Sequence, residues 1–256
     1  MYTCKSNHMK KTLTITDLTQ MPTWDRVCVA GIDELNQCIR PITEDTSGIP
    51  KDYLSIGGVL VIQPRAKVSF DLREVCCQPP HIEDRGFDPN SVISKGLCDD
   101  AEWERILRAS SYTKVDDIFE GFVRDRKWVE PGAKTRSLGT LSDIMAARVQ
   151  LPEWDGKLRY RLSFKDNGGL LFDYPVSDLT FRELCYTEVK RKGQARSTVS
   201  SKLTDLLQSA DRTYLRLGLA RPFPVSDELR CYIQVTGIYT FPDYLGHKTF
   251  ASFLSQ

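Results

Sequence analysis

Between Arg182 and Arg221 the chain carries nine basic residues, at 182, 190, 191, 192, 196, 202, 212, 216 and 221, against four acidic ones at 183, 188, 205 and 211. Upstream, Lys157, Arg159, Arg161 and Lys165 interleave with Leu158, Tyr160, Leu162 and Phe164. A local excess of positive charge neutralises phosphates, and rings set among it give bases a surface to stack on; a single polynucleotide strand is held by those two terms together. The candidate contact residues are therefore Arg159, Arg161, Lys190, Arg191, Lys192, Arg196, Arg216 and Arg221, with Tyr214 as a stacking ring. Tyr160, Tyr186, Tyr232, Tyr239 and Tyr244 are further rings, although most tyrosines in such runs belong to cores or interfaces. For Lys190 to Arg196 the plain alternative is a solvated charge run.

A second constellation lies in Pro79-Pro-His-Ile-Glu-Asp84, where His81 is followed by Glu83 and Asp84. An imidazole beside two carboxylates can serve as a general base or bind a metal. A complete metal site needs further ligands, and His8 and His247 stand in unrelated segments, so a structural loop or cap is the preferred reading. No GxSxG, HExxH or CxxC occurs, and Gly57-Gly58 and Gly168-Gly169 sit in no phosphate-cradling frame. No cofactor and no metal are expected. Of the eight cysteines, at 4, 28, 38, 76, 77, 98, 185 and 231, four (Cys28, Cys38, Cys185 and Cys231) fall in apolar strand-like runs. There a thiol behaves as a small hydrophobe, and reduced, buried thiols are expected.

The elements that must position these groups are short. With 256 residues and 41% hydrophobic content the chain can bury one large or two ordinary cores. A formal net charge of +1 means that attraction to phosphate must come from a local patch. The polar N-terminus lacks the apolar stretch of a secretory signal, and no apolar run approaches the roughly 18 residues of a membrane helix. A cytoplasmic protein with no membrane partner is the expectation.

Closely spaced runs at Thr12–Thr16, Val27–Ile32, Gln37–Ile42, Val59–Ile62 and Lys67–Leu72, separated by Gly, Pro, Asn and Asp, predict a meander closing one small barrel near Pro79-Pro80. Helical spacing of Trp103, Ile106, Leu107, Val115, Ile118, Phe119 and Phe122 predicts two short helices whose apolar stripe packs on that barrel. Strand pattern resumes at Arg148–Leu151, Lys157–Lys165 and Leu170–Pro175, the last two joined by a turn at Asp166–Gly169. Helices are expected near Ser177–Thr187 and Ser200–Gln208, with a mobile basic loop between them, before a closing hairpin at Tyr214–Arg221 and Cys231–Leu245. The fold class is mainly β with helical connectors (α+β): a barrel over 1–98, a helical connector over 99–136, and a barrel with a helical insertion over 137–256.

The run Tyr214-Leu-Arg-Leu-Gly-Leu-Ala-Arg-Pro-Phe223, followed by Gly237-Ile-Tyr-Thr-Phe-Pro-Asp-Tyr244, resembles the bacterial family described as a dual OB-containing domain. The opening at Thr12–Ile42 and the Ser137-Leu-Gly139 element are similar to it too, so the likeness spans nearly the whole chain. The resemblance implies two OB-like β-barrels in one chain and, by analogy with other OB proteins, nucleic-acid binding; it supplies no catalytic residues to carry over. The leading expectation is a non-catalytic module that binds single-stranded or structured DNA or RNA through the second barrel. A protein-interaction or scaffold subunit of a bacterial defence or mobile-element system is the alternative, and a metal-dependent hydrolase or nuclease using His81, Glu83 and Asp84 comes third.

Overall fold

The first strand, β1 (His8–Gln20), shows why a barrel forms here. Leu13 and Ile15 point into the core while Thr14 and Thr16 point out, as period-two alternation requires. A bulge between Ile15 and Asp17 then shifts the register, so Leu18 takes the next inward position. Thr16 and Asp17 are thereby both left facing away from that core. In this computed structural model, which describes residues 8–23, 25–43 and 48–254, β1 is followed by β2 (Arg26–Ile32), β3 (Cys38–Ile42), β4 (Ala66–Arg73), β5 (Asp84–Phe87) and β6 (Ile93–Leu97).

Pairing runs β1–β2–β3–β5–β4 and returns to β1, with every neighbour antiparallel except β3 and β5. Five strands thus close a ring, and β6 adds outside it on β4. The ring closes later than the sequence pattern suggests: the closing strand β5 lies beyond Pro79-Pro80, in the segment read as a loop. Its four residues are too few for alternation to register.

Two helices follow, α1 (Asp100–Ala109), capped by the Asp99 side chain, and α2 (Val115–Ile118). Their apolar stripe packs on the first barrel only in part. Trp103, Ile106 and Leu107 wedge between the barrels with Ile32, Tyr214 and Tyr239, whereas Val115, Ile118 and Phe119 enter the core of the second. The connector also lends strands to that second barrel, Ser111–Tyr112 and Trp128–Val129.

The second barrel contains β7 (Leu138–Leu141), β8 (Met145–Gln150), a short hairpin of β9 (Glu153–Trp154) and β10 (Lys157–Leu158), then β11 (Arg161–Lys165) and β12 (Leu171–Pro175). Helices α3 (Leu179–Tyr186) and α4 (Arg196–Ser209) precede β13 (Arg212–Leu219), β14 (Phe223–Val225) and β15 (Glu228–Phe241). β7 and β8 act as one bent strand, turned where Asp143 and Ala146 adopt positive φ. That bent strand pairs with β11 through β8, β11 with β12, and β13 with both β15 and β7. A parallel bridge between Val176 and Val235 joins the third strand to the fifth. The second ring therefore repeats the first-second-third-fifth-fourth order of the first, with the helices inserted between its third and fourth strands.

Candidate nucleic-acid interface

The outer face of β1, β2 and β3 is covered by the outer face of β7, β13 and β15. Two bulges meet there, because β15 carries its own register shift opposite Arg216 and Leu217. Thr236 Oγ1 donates to Asp17 Oδ1 at 2.5 Å, and Arg216 Nε donates to Asp17 Oδ2 at 2.9 Å. Arg216 also donates to Thr140 Oγ1 (2.9 Å) and to Cys38 Sγ (3.3 Å), and it is only 1% exposed. Burial alone would favour loss of its proton; the Asp17 carboxylate outweighs that and holds the guanidinium charged. Tyr239 closes this part of the seam, its hydroxyl donating to the Thr16 carbonyl.

The segment that sequence reading singled out for acid–base chemistry lies in the same seam. Arg40 donates to Asp84 Oδ1 (2.9 Å), to His81 Nδ1 (3.1 Å) and to Ser137 Oγ (2.8 Å). Glu83 accepts from the Ser137 and Leu138 amides and from Ser137 Oγ, and Arg221 holds the other oxygen of Asp84 at 2.8 Å. Burial, with Arg40 and Arg221 nearby, pushes the His81 imidazole down to about 2, so it is neutral. Glu83 and Asp84 thus join the barrels, while His81 bonds to Arg40 through Nδ1 and its buried Nε2 has no partner among the described residues.

Three of the nine nominated contact residues go with them. Arg216 and Tyr214 are buried, and Arg221 is half-exposed but pinned to Asp84, so Arg216 and Tyr214 are withdrawn from any external ligand. The basic loop is corrected too. Residues Thr187–Arg191 continue α3 as a π-turn, with each cation of the segment already paired: Lys190 to Glu153 (3.2 Å), Arg191 to Glu183 (3.9 Å), Lys192 to Glu188 (2.8 Å) and Arg196 to Glu153 (3.9 Å). Lys190 and Arg196 thereby converge on the base of the β9–β10 hairpin, while Arg191 and Lys192 turn to other partners.

The corresponding face of the second barrel is open. On β8, β11 and β12 the inward rows are Val149–Leu162–Tyr174 and Phe164–Phe172, and the outward rows are Gln150–Arg161–Pro175, Arg148–Ser163–Asp173 and Met145–Lys165–Leu171. Arg161 is held by Asp173, its Nε 3.1 Å from both carboxylate oxygens. Arg148, Lys157, Arg159 and Lys165 pair with no carboxylate among the described residues. Arg182 stacks over Tyr160 at 4.8 Å, and burial lowers its pKa, as does neighbouring Arg159. Tyr160 is itself buried.

The ring that sequence reading missed is Trp154, 71% exposed on the β9–β10 hairpin. Asp155 and Gly156 at its tip both have positive φ, the Asp-Gly turn chemistry that projects a two-residue hairpin from a sheet. That dipeptide was the available signal. The link between β13 and β15 carries Phe223, 61% exposed. In an OB-fold these two links, first-to-second and fourth-to-fifth strand, frame the ligand face of strands two and three. The equivalent links of the first barrel are the one between Gln20 and Arg26 and the seam segment that contains His81.

Among the described residues no helix is long and apolar enough to cross a membrane, and no group of three His, Cys, Asp or Glu side chains could hold a metal ion. The seven described cysteines are free thiols, three of them fully buried; Cys4 lies outside the described residues. The family model described as dual OB-containing domain matches residues 13–238. No curated protein matches. Among solved structures, "Structure and Conformational Change of a Replication Protein A Heterotrimer Bound to ssDNA" matches at 9% identity with a TM-score of 0.27, covering 94% of this chain and 66% of that one. A superposition that loose carries no argument about this chain.

Proposed function

This chain belongs to the dual OB-containing domain family, and we propose that it is a non-catalytic module that binds single-stranded nucleic acid across the β8–β11–β12 face of its second barrel. The first barrel serves as a platform, its own equivalent face consumed by the seam. One observation carries the reading: the open face has unpaired cations at Arg148, Arg159 and Lys165 and an exposed ring on each of its two framing links, Trp154 and Phe223. In this arrangement Trp154 stacks a base, and the unpaired Lys157 and Arg159 neutralise the adjoining phosphates. Arg161, tied to Asp173, shapes the floor and adds little free charge.

The test is a fluorescence-anisotropy titration of a labelled single-stranded oligonucleotide. Trp154→Ala is expected to weaken binding by about 1–3 kcal/mol, the contribution of one stacked base, with thermal stability unchanged because the ring supports no core. Equal affinity of variant and wild type would remove Trp154 from the interface.

A protein-interaction role is favoured by one feature, the exposed Phe223 and Leu229, which the register places on opposite faces of the β14–β15 hairpin. An apolar partner seated there would survive high salt, whereas a polynucleotide would not.

A further inference from the structure

Beside β12 the connector makes a tight turn, Arg124-Asp-Arg-Lys-Trp128. It is closed by an antiparallel bridge in which the Arg124 amide donates to the Trp128 carbonyl at 2.8 Å and the Trp128 amide to the Arg124 carbonyl at 3.2 Å. Asp125 and Arg126 at the tip both adopt positive φ, 50° and 57°. An arginine is seldom held in that conformation, and it persists only where the surroundings fix it. Here β15 does so. Trp128 and Val129 pair with Tyr232 and Cys231, and the Ile233 amide donates to the Lys127 carbonyl at 2.9 Å. The Trp128 indole donates to Asp125 Oδ2 at 3.2 Å, and the Arg230 guanidinium lies 4.6 Å from the centre of its ring.

This turn stands at the end of a row of the strand-binding face. The Leu170 carbonyl accepts from the Asp166 amide across the β11–β12 turn, so the next carbonyl, that of Leu171, points away from β11. Arg126 Nη1 donates to it at 3.4 Å. The outward row Met145–Lys165–Leu171 therefore continues, one position further across the sheet, into Arg126. Arg124 is answered by Glu130 (3.6 Å) and Arg230 by Glu228 (2.9 Å). Arg126 and Lys127 are exposed, and neither pairs with a carboxylate among the described residues. Contact with Leu171 occupies one of the five N–H donors of a guanidinium; the rest, with the Lys127 ammonium, are left for an anion. Cations fixed along an open edge, with Lys165 in the same row, suit a repeating polyanion better than a single small one. Resting on the strand-binding role argued above, we propose that the turn Arg124–Trp128 is a second phosphate-contact point. Arg126 and Lys127 take the backbone of a strand that has crossed β8, β11 and β12, so the site extends beyond the sheet onto the connector.

Anisotropy titrations of the full chain with labelled oligothymidylates and oligouridylates of about 4 to about 16 nucleotides, the range that OB-folds cover, test this. Wild-type affinity is expected to rise with length until the strand reaches the turn, and in Arg126→Gln with Lys127→Gln the rise should stop earlier. At the longest length the plot of log affinity against log salt should be flatter by about 1.4 in the double variant, two phosphate contacts at roughly 0.7 each. At the shortest length the two proteins should agree. Arg126→Lys with Lys127→Arg keeps both charges and should behave as the wild type, and neither variant should move the Tm, because both side chains are exposed. Trp154→Ala, in contrast, should weaken short and long strands alike. A double variant that matches the wild type at every length, or that loses affinity equally at every length, would overturn the extension and leave the β8–β11–β12 face standing. Failure of the wild type to bind at any length would overturn both.

Discussion

At the level of single residues, the seam is where charge and burial are most tightly coupled. His81 is the group whose protonation reports on it. An unfolded chain protonates this imidazole near 6.5, whereas the folded protein keeps it neutral down to about 2. Over that interval the unfolded state binds more protons, so the contribution of His81 to stability falls as pH falls. Asp178 runs the other way, since burial raises its carboxyl to about 7 and the folded state takes up its proton first. Comparing the wild type with His81→Asn cancels the Asp178 contribution. On moving from about pH 6.5 to about pH 5, the wild type should lose about 1.7 kcal/mol relative to the variant, the slope approaching 1.36 kcal/mol per unit only once the unfolded imidazole is fully protonated. Urea denaturation at the two pH values checks this; parallel behaviour of the two proteins would mean that His81 is solvated. Little of this was legible in the sequence. His81, Glu83 and Asp84 stood out as a group, but a carboxylate that accepts from Ser137, 54 residues away, is invisible to local pattern, and so is the Asp17–Arg216 pair, 199 residues apart.

At the level of elements, alternation told more. Leu158, Tyr160, Leu162 and Phe164 are inward and Lys157, Arg159, Arg161 and Lys165 lie on the opposite side, because a strand with one buried face has its register fixed. The Asp166–Gly169 turn between β11 and β12 was also readable, with Gly169 at positive φ. Two things escaped. The first was the β9–β10 hairpin, which interrupts what reads as one continuous strand and lifts Trp154 out of the sheet. The second was the fate of Lys190–Arg196, where a run rich in lysine and arginine looks solvated in sequence but is matched in space by Glu153, Glu183 and Glu188. The distinction between paired and unpaired cations has a measurable consequence. Replacing Arg148, Arg159 and Lys165 together by Gln should flatten the plot of log affinity against log salt by about 2, each lost phosphate contact removing roughly 0.7 for a single strand. The same treatment of Arg191 and Lys192, which already serve carboxylates, should leave the slope nearly as it was. Equal slopes in all three proteins would show that the β8–β11 cations meet no phosphate.

At the level of the whole molecule, two barrels of the same strand order are used differently. The first presents its β1–β2–β3 face, the one that binds ligands in OB-folds, to the second barrel rather than to solvent. Breaking its buried Asp17–Arg216 pair by removing one partner would leave an uncompensated charge, a change that typically costs about 3–5 kcal/mol, so the two barrels are held in a fixed relation. On the proposed reading, a chain with two such barrels offers one strand-binding face, on the second. Hydrogen–deuterium exchange with and without a saturating single-stranded oligonucleotide puts that asymmetry to the most direct test. Slowed exchange is expected in residues 145–175, covering β8, the β9–β10 hairpin, β11 and β12, with no change in residues 26–42 of the first barrel. Protection centred on residues 26–42, or no protection anywhere at saturating oligonucleotide, would contradict it.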